Sequence, residues 1–277
     1  MRKERNILLV IMKYIVTVIF ALIFASPLLL VLINSFKTKG EISSSALALP
    51  QAWNFDNYIT IITESNFVSS FLTSIFTVIV TTSLTVLIAA ITGYALARWN
   101  SRLSTIIMLV IMTTLFVPFQ VYMVALIVVV RKIHLVGNLF GLILVYLALG
   151  MPVPIFLCRS YCIGLPKELE ESAIIDGCSR TKMLYKIVLP LMRPILATVA
   201  VLNALWVWGE FLVAFLVYGN GKLMTLPLSQ QYFYGTYSNQ WNLILANFVI
   251  SSIPIILFYI LMQKNIVKGI AAGAVKG

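Results

Sequence analysis

A short stretch of the chain concentrates residue types that are suited to charged binding chemistry. Residues 167–186 contain eight charged side chains, although the chain of 277 residues has only 20 lysines and arginines and 9 aspartates and glutamates. Carboxylates and cationic groups favour charge-assisted hydrogen bonds to a partner. The stretch is therefore a candidate binding surface within an otherwise apolar chain.

A second candidate is a polar face on an apolar segment further along the chain. Asn203, Trp206 and Glu210 stand at i, i+3 and i+7, which places them on one face of a helix. An acidic residue inside a membrane helix is costly and usually faces a cavity or a protein partner. We predict that this face lines a transport pathway or contacts another subunit, and that Asn247 and Ser251 join it. A helix-packing network without substrate contact is the alternative.

The sequence offers no set of side chains for catalysis or for a metal centre. Its cysteines are Cys158, Cys162 and Cys178, and its one histidine, His134, is distant from them, so zinc-site spacing is missing. The sparse acidic residues form no nucleophile–base set. A G-x-x-x-x-G-K-S/T phosphate-binding loop does not occur. We therefore expect no catalytic residue, no metal and no cofactor on this chain.

The apolar composition indicates that a membrane is the solvent for most of the chain. Hydrophobic residues make up 61% of the sequence and charged residues 10%, whereas soluble domains average about 25% charged. A helix of about 20 apolar residues spans a bilayer. The sequence predicts an all-α, polytopic membrane protein that forms one domain over residues 1–277. Its six predicted transmembrane helices are 13–34, 69–97, 104–130, 138–162, 194–218 and 243–263.

Local signals predict where helices break and begin. Pro118 and Pro152 fall inside the third and fourth spans, where each removes a helical hydrogen bond and predicts a kink or a break. In the outer segment 35–68, Asn54 or Asp56 suits the N-cap of a short helix. We expect one side of this helix to carry Tyr58, Ile59 and Ile62.

The basic residues orient the predicted spans. With a cytoplasmic N-terminus, 15 of the 20 lysines and arginines lie on the cytoplasmic side and 5 lie outside, in agreement with the positive-inside rule. Both termini and the loop 163–193 are then predicted to be cytoplasmic. The net charge of +11 is spread over loops on one side of the membrane, which argues against a nucleic-acid partner.

The loop 163–193 carries the signals of two helices joined by a glycine. Pro166 suits the first helical position, and the glutamates after it favour the positive end of a helix dipole. Gly177 suits the left-handed conformation that ends helices, and Ser179 suits an N-cap. We expect the second helix to end at Pro190, which gives a helix–glycine–helix hairpin over 166–190. A hairpin that lies on lipid headgroups is the alternative.

The spacing in this loop matches a known signature, the EAA motif. The motif reads E-A-A, three residues, G, nine residues, then I-x-L-P. One position departs from it, because serine replaces the first alanine. The matching residues are Glu171, Ser172, Ala173, Gly177, Ile187, Leu189 and Pro190.

Other segments are similar to the same proteins. The chain ends in QKNIVKGIAAGAVKG (263–277), which is similar to the tail of maltose and multiple-sugar permeases. Residues 208–211 read WGEF, with Gly209 where the family usually has asparagine. The chain thus resembles the inner-membrane permease subunits of ATP-binding-cassette importers, in their carbohydrate branch.

The resemblance implies a type I importer permease fold in a bacterial or archaeal cytoplasmic membrane. Such a subunit pairs with a second, homologous permease as a heterodimer, and two cytoplasmic subunits that bind ATP and Mg power the pair. An extracytoplasmic sugar-binding protein delivers the substrate, which is expected to be an oligosaccharide. The resemblance assigns coupling to the ATPase to Glu171, Ser172, Ala173, Asp176, Gly177, Ile187, Leu189 and Pro190.

Two other functions stay open on the sequence. A secondary transporter needs no ATPase, but it usually shows repeated halves and ion-coupling acids within the membrane. This chain shows no internal repeat and one convincing membrane acid, Glu210. A permease of the same class that carries a non-sugar solute is the second alternative.

Overall fold

Helices make up all the regular structure in the described part of the chain. The computed structural model describes residues 2–64, 66–99, 101–219, 224–234 and 239–274. The helices are α1 (Arg2–Asn34), α2 (Lys39–Ser44), α3 (Asp56–Glu64), α4 (Phe67–Arg98), α5 (Arg102–Thr113), α6 (Phe119–Lys132), α7 (Leu139–Gly150), α8 (Pro152–Ile163), α9 (Glu168–Ile175), α10 (Arg180–Met183), α11 (Leu189–Gly209), α12 (Leu212–Tyr218), α13 (Leu226–Ser229) and α14 (Trp241–Ala274). Short 3₁₀ turns cover Thr114–Phe116 and Gln230–Phe233, and a π-turn covers Leu184–Val188.

Three helices are long and apolar enough to cross a membrane unbroken. Three further pairs of consecutive helices are long and apolar enough when each pair is taken together, but each pair is bent at a short break. The described residues therefore hold three spans, or six if each bent pair counts as one more span. The unbroken helices are Val10–Asn34, Phe67–Arg98 and Trp241–Gln263. The bent pairs are Arg102–Phe116 with Phe119–Lys132 (105°), Leu139–Gly150 with Pro152–Ile163 (48°) and Arg180–Leu191 with Arg193–Gly209 (73°).

Prolines mark two of these bends, as predicted. Pro118 immediately precedes α6 and has φ −58° and ψ 137°, which is not helical backbone. Pro152 is the first residue of α8, a position whose N–H makes no hydrogen bond within the helix, so the proline costs the helix nothing there. The predicted span 104–130 is therefore two helices at a steep angle rather than one kinked helix.

The fifth predicted span, 194–218, begins earlier than expected. Pro190 stands in the first turn of α11, where a proline is tolerated because its N–H has no helical partner. The π-turn over Leu184–Val188 carries the helix from the loop directly into α11. Helical backbone continues past Pro190, but the helix axis bends by 73° between Arg180–Leu191 and Arg193–Gly209, so the second helix of the hairpin ends close to the predicted Pro190.

The chain packs as two compact units that are interleaved in sequence. One unit comprises Met1–Val68 and Ser229–Ile253, and the other comprises Ser69–Leu228 and Pro254–Gly277. Each unit takes two separate stretches of chain, so neither is a contiguous domain. The single domain predicted over 1–277 stays a prediction.

Two hydrophobic cores hold the larger unit together. One core joins α4, α8 and α11 around the buried side chains of Ala89, Cys158 and Met192. The other joins α7 and α12 to the end of α11 around Tyr146 and Ala214. Buried apolar side chains stabilise the contacts between helices, because many closely packed atoms gain van der Waals attraction together. These cores therefore position the helices that carry the candidate site.

Gly93→Ala is expected to destabilise the larger unit. A Cβ atom on Gly93 would lie 2.6 Å from the Cβ of Cys158 and 2.8 Å from the backbone nitrogen of Arg159, so α4 or α8 must move. Overpacking of this kind costs about 1–3 kcal/mol. Thermal unfolding of the purified chain in detergent should show a lower midpoint than wild type. Gly40→Ala is the matched control, because nothing lies within 4 Å of a Cβ there; equal midpoints for both variants would contradict the expected clash.

A buried lysine organises the segment that follows α1. The side chain of Lys37 is 1% exposed. Its Nζ donates hydrogen bonds to Oδ1 of Asn34 (2.9 Å) and to the carbonyl oxygens of Ser45 (3.1 Å) and Ala46 (3.4 Å). A buried ammonium group is stable only with such partners, so this segment has a defined structure rather than that of a loose loop.

The short helix α3 packs on the rest of the chain mainly through residues outside the apolar side that Tyr58, Ile59 and Ile62 form. Its buried residues are Asn57 and Ile61, whereas Ile59 and Ile62 are exposed and Tyr58 is half-buried. The Nδ2 of Asn57 donates to two backbone carbonyls of the segment after α1, at 2.8 and 2.9 Å. The amide is buried because it satisfies these carbonyls, and that need outweighs the apolar pattern.

Candidate coupling hairpin and transmembrane cavity

The glycine turn of the hairpin closes α9 as predicted. Gly177 has φ +76°. Its N–H donates to the carbonyl of Ile174 (3.0 Å), and the N–H of Cys178 donates to the carbonyl of Ala173 (2.9 Å). These two bonds form a Schellman motif, which ends a helix with a residue in the left-handed conformation. Nothing lies within 4 Å of a Cβ on Gly177, so the glycine is required by backbone conformation and not by space.

The second helix of the hairpin begins at the predicted cap. Ser179 has extended backbone, with φ −66° and ψ 151°, and its side-chain oxygen accepts a hydrogen bond from the N–H of Lys182 (3.4 Å). This bond satisfies one of the N–H groups that the first helical turn leaves without a partner. The hairpin is defined as residues 166–190, and its second helix runs into α11, whose axis bends by 73° after Leu191.

The predicted coupling residues divide into an exposed group and a packed group. The exposed residues are Glu171, Ser172, Asp176 and Gly177. Ala173 is buried, and Ile187, Leu189 and Pro190 are half-buried where the π-turn enters α11. The exposed group is available to a partner, whereas the packed group holds the hairpin against the rest of the chain.

Two exposed isoleucines on the hairpin were not predicted. Ile174 is 50% exposed and Ile175 is 85% exposed, directly between the signature residues and Gly177. The sequence signal for them is two adjacent apolar residues at the end of a short, otherwise acidic helix. Exposed apolar side chains beside a charged group are typical of a surface that binds another protein.

Glu170 makes a contact that the sequence pattern does not reveal. Its carboxylate accepts hydrogen bonds from the hydroxyl of Tyr94 (2.8 Å) and from Nε of Arg98 (2.7 Å), both at the C-terminal end of α4. The Arg98 guanidinium also donates through Nη2 to the carbonyl of Leu165 (3.2 Å). Because 72 residues separate Arg98 from Glu170, no local spacing rule pairs them.

A cavity of about 600 Å³ lies among α6, α7, α8, α11 and α12 of the larger unit. Most of its wall is apolar. Its polar and aromatic lining residues are Phe119, Gln120, Tyr122, Asn203, Trp206 and Glu210. Of the five predicted pathway residues, Asn203, Trp206 and Glu210 therefore share one cavity. The sequence analysis missed Tyr122, because nothing in the pattern around it distinguishes it from an ordinary residue of an apolar helix.

The helix that carries the polar face stops just before Glu210. The backbone of Glu210 is extended, with φ −76° and ψ 116°, so the predicted continuous helical face is interrupted. Its Oε1 accepts a hydrogen bond from the N–H of Val213 (3.0 Å), and its carbonyl accepts one from the hydroxyl of Tyr146 (3.3 Å). The carboxylate therefore caps α12 while it lines the cavity.

Asn203 and Trp206 are held by direct contacts with neighbouring helices. The Oδ1 of Asn203 accepts a hydrogen bond from Oγ1 of Thr82 on α4 (3.0 Å). The ring of Trp206 packs edge-on against Tyr146 with centroids 5.6 Å apart. A Cβ on Gly150 would lie 3.0 Å from the Trp206 ring and 3.2 Å from Nδ2 of Asn203, so glycine there gives both side chains room.

Asn247 and Ser251 lie in the other compact unit and pair with each other. The hydroxyl of Ser251 donates to Oδ1 of Asn247 (3.3 Å). Both side chains are buried within the described part of the chain, and Nδ2 of Asn247 has no hydrogen-bond partner there. Their place in a pathway stays a prediction.

The described residues hold no group of three or more His, Cys, Asp or Glu side chains arranged to bind a metal ion. Cys158 and Cys162 are buried, and they serve the core that joins α4, α8 and α11. Of the tail that resembles sugar permeases, residues 275–277 lie outside the described residues.

Comparison with known proteins gives relatives over almost the whole chain. A probable starch degradation products transport system permease protein of Thermoanaerobacterium thermosulfurigenes is 36% identical over 267 residues, which is 95% of this chain and 97% of the relative. An arabinooligosaccharides transport system permease protein of Halalkalibacterium halodurans is 33% identical over 96% of this chain and 98% of its own length.

A solved structure shares the fold. The chain matches a crystal structure of a bacterial ABC transporter involved in the import of the acidic polysaccharide alginate, with a TM-score of 0.79 over 95% of this chain and 98% of the other, at 22% identity. The predicted all-α importer-permease fold is confirmed, while the side of the membrane on which the termini lie stays a prediction. The family model for the inner membrane component of binding-protein-dependent transport systems matches residues 86–272. This chain therefore belongs to the family of binding-protein-dependent transport system inner membrane components, and it is a multi-pass membrane protein.

Proposed function

We propose that this chain is a permease subunit of an ATP-driven, binding-protein-dependent sugar importer, with oligosaccharides as the substrate class. The family match supports the transport role. Relatives named for starch degradation products, arabinooligosaccharides and multiple sugars support the substrate class. The importer lies in the cytoplasmic membrane of a bacterium or archaeon.

Separate subunits hydrolyse the ATP in this proposal. The sequence has no G-x-x-x-x-G-K-S/T loop, which supports a division of labour with two cytoplasmic ATP-binding subunits that hold ATP and Mg. This chain binds no cofactor of its own. An extracytoplasmic sugar-binding protein delivers the substrate on the other side of the membrane.

A second, homologous permease completes the membrane part as a heterodimer. The apolar part of Val10–Asn34 has no buried side chains within this chain. Such a helix needs apolar surroundings, which lipid and a neighbouring membrane subunit both provide. This surface supports the proposed pairing.

The hairpin is the element that docks on the ATPase, and its structure is the observation that carries the proposal. Its Schellman turn and Ser179 cap fix its shape, and Glu171, Ile174 and Ile175 are exposed together beside that turn. A carboxylate next to apolar side chains suits a groove with a basic residue at its edge. Closure of the ATPase would move the hairpin as a lever and shift the membrane helices between inward- and outward-open states.

The cavity is the proposed path for the sugar. Trp206 and Tyr122 offer aromatic surfaces for the C–H faces of a sugar ring, and Asn203 and Gln120 offer amides for its hydroxyl groups. Among the described lining residues none is basic, and the one charged residue is the acid Glu210. A neutral oligosaccharide fits this lining better than an acidic one, because like charges repel across a site of low dielectric constant.

Uptake by the assembled importer tests the proposal. In vesicles that contain this chain with its co-expressed permease and ATPase subunits, uptake of a neutral oligosaccharide should require both ATP and the binding protein. A panel of neutral gluco- and arabino-oligosaccharides and an acidic uronate oligomer identifies the substrate class. The same complex with an ATPase subunit that cannot hydrolyse ATP is the control.

Two outcomes would contradict the proposal. Uptake driven by a proton or sodium gradient in the absence of ATP would indicate a secondary transporter. ATP-dependent uptake of a non-sugar solute, without uptake of any member of the sugar panel, would retain the importer and reject the sugar class.

A further inference from the structure

The first helix of the hairpin is fastened to a membrane helix that is not adjacent to it in the chain. Glu170 accepts hydrogen bonds from Tyr94 and Arg98 at the C-terminal end of α4, at 2.8 and 2.7 Å, and forms an ion pair with Arg98. Arg98 also donates to the carbonyl of Leu165, where the chain enters the hairpin. One guanidinium thus holds Glu170 in the hairpin and Leu165 immediately before it.

This contact is shielded from solvent. The side chains of Arg98 and Glu170 are 15% and 13% exposed. An ion pair in such surroundings is screened less than one on an open surface, and loss of one partner leaves the other charge poorly solvated. The contact is therefore a stronger mechanical connection than an exposed surface salt bridge.

The same helix reaches the cavity. Thr82 of α4 donates a hydrogen bond through Oγ1 to Oδ1 of the cavity residue Asn203 (3.0 Å). Between Thr82 and Arg98 the helix is continuous and about 24 Å long at 1.5 Å per residue. Ala89 and Ala90 are buried along this length, and Gly93 lies in close contact with α8. Tight packing of this kind makes α4 move as a body.

The chain itself does not connect the hairpin to α4, so a movement of the hairpin is not passed to α4 along the backbone directly. Along the chain the hairpin joins α8 on one side and α11 on the other, so its movement reaches those two helices directly. Helix α4 is separated from the hairpin by α5, α6, α7 and α8. Non-covalent contacts must therefore move α4 with the hairpin: the core shared with α8 and α11 is an indirect connection, and a contact between α4 and the hairpin itself is a direct one.

We propose that Glu170 and Arg98 are a positioning pair that passes movement of the hairpin to α4, and that α4 carries it through Thr82 to Asn203 at the cavity. The proposal rests on the proposed function, because it takes the ATPase as the source of the movement. The pair contacts neither ATP nor sugar in this scheme. Its loss should uncouple ATP hydrolysis from uptake without releasing the ATPase.

The experiment measures sugar taken up per ATP hydrolysed in proteoliposomes that hold the complete importer. For Glu170→Gln and for Arg98→Gln we expect this ratio to fall about tenfold, as for loss of a coupling contact, while the ATPase subunits still co-purify in wild-type amounts. The charge swap Arg98→Glu with Glu170→Arg should restore the ratio to within about threefold of wild type. Arg102→Gln is the matched control, because Arg102 is an exposed arginine at the start of α5, four residues after Arg98.

A further variant tests the cavity end of the route. Thr82→Val keeps the shape of the side chain and removes the hydrogen bond to Asn203, so it should also lower uptake per ATP. Normal coupling in this variant would overturn the part of the proposal that leads to the cavity.

Three other results would overturn the positioning pair. They are normal coupling in Glu170→Gln, loss of the ATPase subunits from that variant, and a charge swap that restores nothing. Loss of the subunits would make Glu170 part of the docking surface instead. If the wild-type chain itself retains no ATPase subunit, the proposed function fails, and that failure is distinguishable because it does not depend on any variant.

Discussion

Gly177→Val is expected to abolish most sugar uptake while the chain still inserts into the membrane. A β-branched residue is poorly accommodated at φ +76°, and the left-handed conformation costs about 1–2 kcal/mol for residues with a Cβ atom. The substitution should therefore open the Schellman turn and displace Ile174 and Ile175. Because each 1.4 kcal/mol is a factor of ten, we expect ATPase docking and uptake to fall about tenfold or more.

A matched variant separates backbone strain from other effects of a new side chain. Asparagine tolerates the left-handed conformation, so Gly177→Asn should keep most of the docking and uptake. Space does not limit either variant, since nothing lies within 4 Å of a Cβ on Gly177. The measurements are co-purification of the ATPase subunit and uptake in vesicles. If Gly177→Val takes up sugar like wild type, the turn has no role in coupling. If Gly177→Val and Gly177→Asn lose uptake equally, backbone strain is not the cause of the loss.

Glu210→Ala is expected to reduce uptake about tenfold while assembly with the ATPase stays normal. The variant removes the side-chain acceptor for the N–H of Val213 at the start of α12, and loss of a helix cap costs about 1 kcal/mol. It also removes the one charged side chain among the described residues that line the cavity. If no other acceptor replaces the carboxylate, the same Val213 N–H is left unsatisfied beside an apolar wall, and the cost of losing this bond lies at about 1–3 kcal/mol instead.

Glu210→Gln distinguishes the cap from a contact with the sugar. Glutamine keeps an oxygen that accepts the Val213 hydrogen bond but carries no charge. If Glu210 only caps α12, Glu210→Gln should transport like wild type and Glu210→Ala should not. If the carboxylate also binds sugar hydroxyls, both variants should raise the substrate concentration needed for half-maximal uptake. Unchanged uptake kinetics in Glu210→Ala would exclude Glu210 from the pathway.

The hairpin shows how far a local sequence pattern can predict a site. The left-handed turn at Gly177 and the cap at Ser179 were predicted correctly, because each depends on residues within a few positions along the chain. The cap expected at Asn54 or Asp56 is displaced, because Phe55 directly precedes α3, while Oδ1 of Asn54 accepts a hydrogen bond from the N–H of Asp56 (2.8 Å). The end expected at Pro190 lies one residue from the observed 73° bend after Leu191, although helical backbone continues through the proline because it stands in the first turn of α11.

The cavity shows the limit of helical periodicity. The spacing of Asn203, Trp206 and Glu210 predicted one shared face, and all three line the cavity. The extended backbone at Glu210 was not predicted, although Gly209 immediately before it is a residue type that often marks a helix end. Tyr122 lines the same cavity from α6. The spacing of residues along one helix does not show which other helix packs beside it, so this contribution was not predicted.

The sequence by itself determined the apolar spans, the prolines that break them, and the turn at Gly177 and cap at Ser179 in the hairpin, whereas the first helix of the hairpin begins at Glu168 and not at the expected Pro166. These features depend on backbone conformation and on hydrogen bonds between near neighbours, which are encoded within a few residues. Only the tertiary structure decided that Glu170 binds Arg98, that Thr82 binds Asn203 and that Lys37 is buried. Those contacts depend on which helix faces meet and at what angle, and packing over the whole unit sets both.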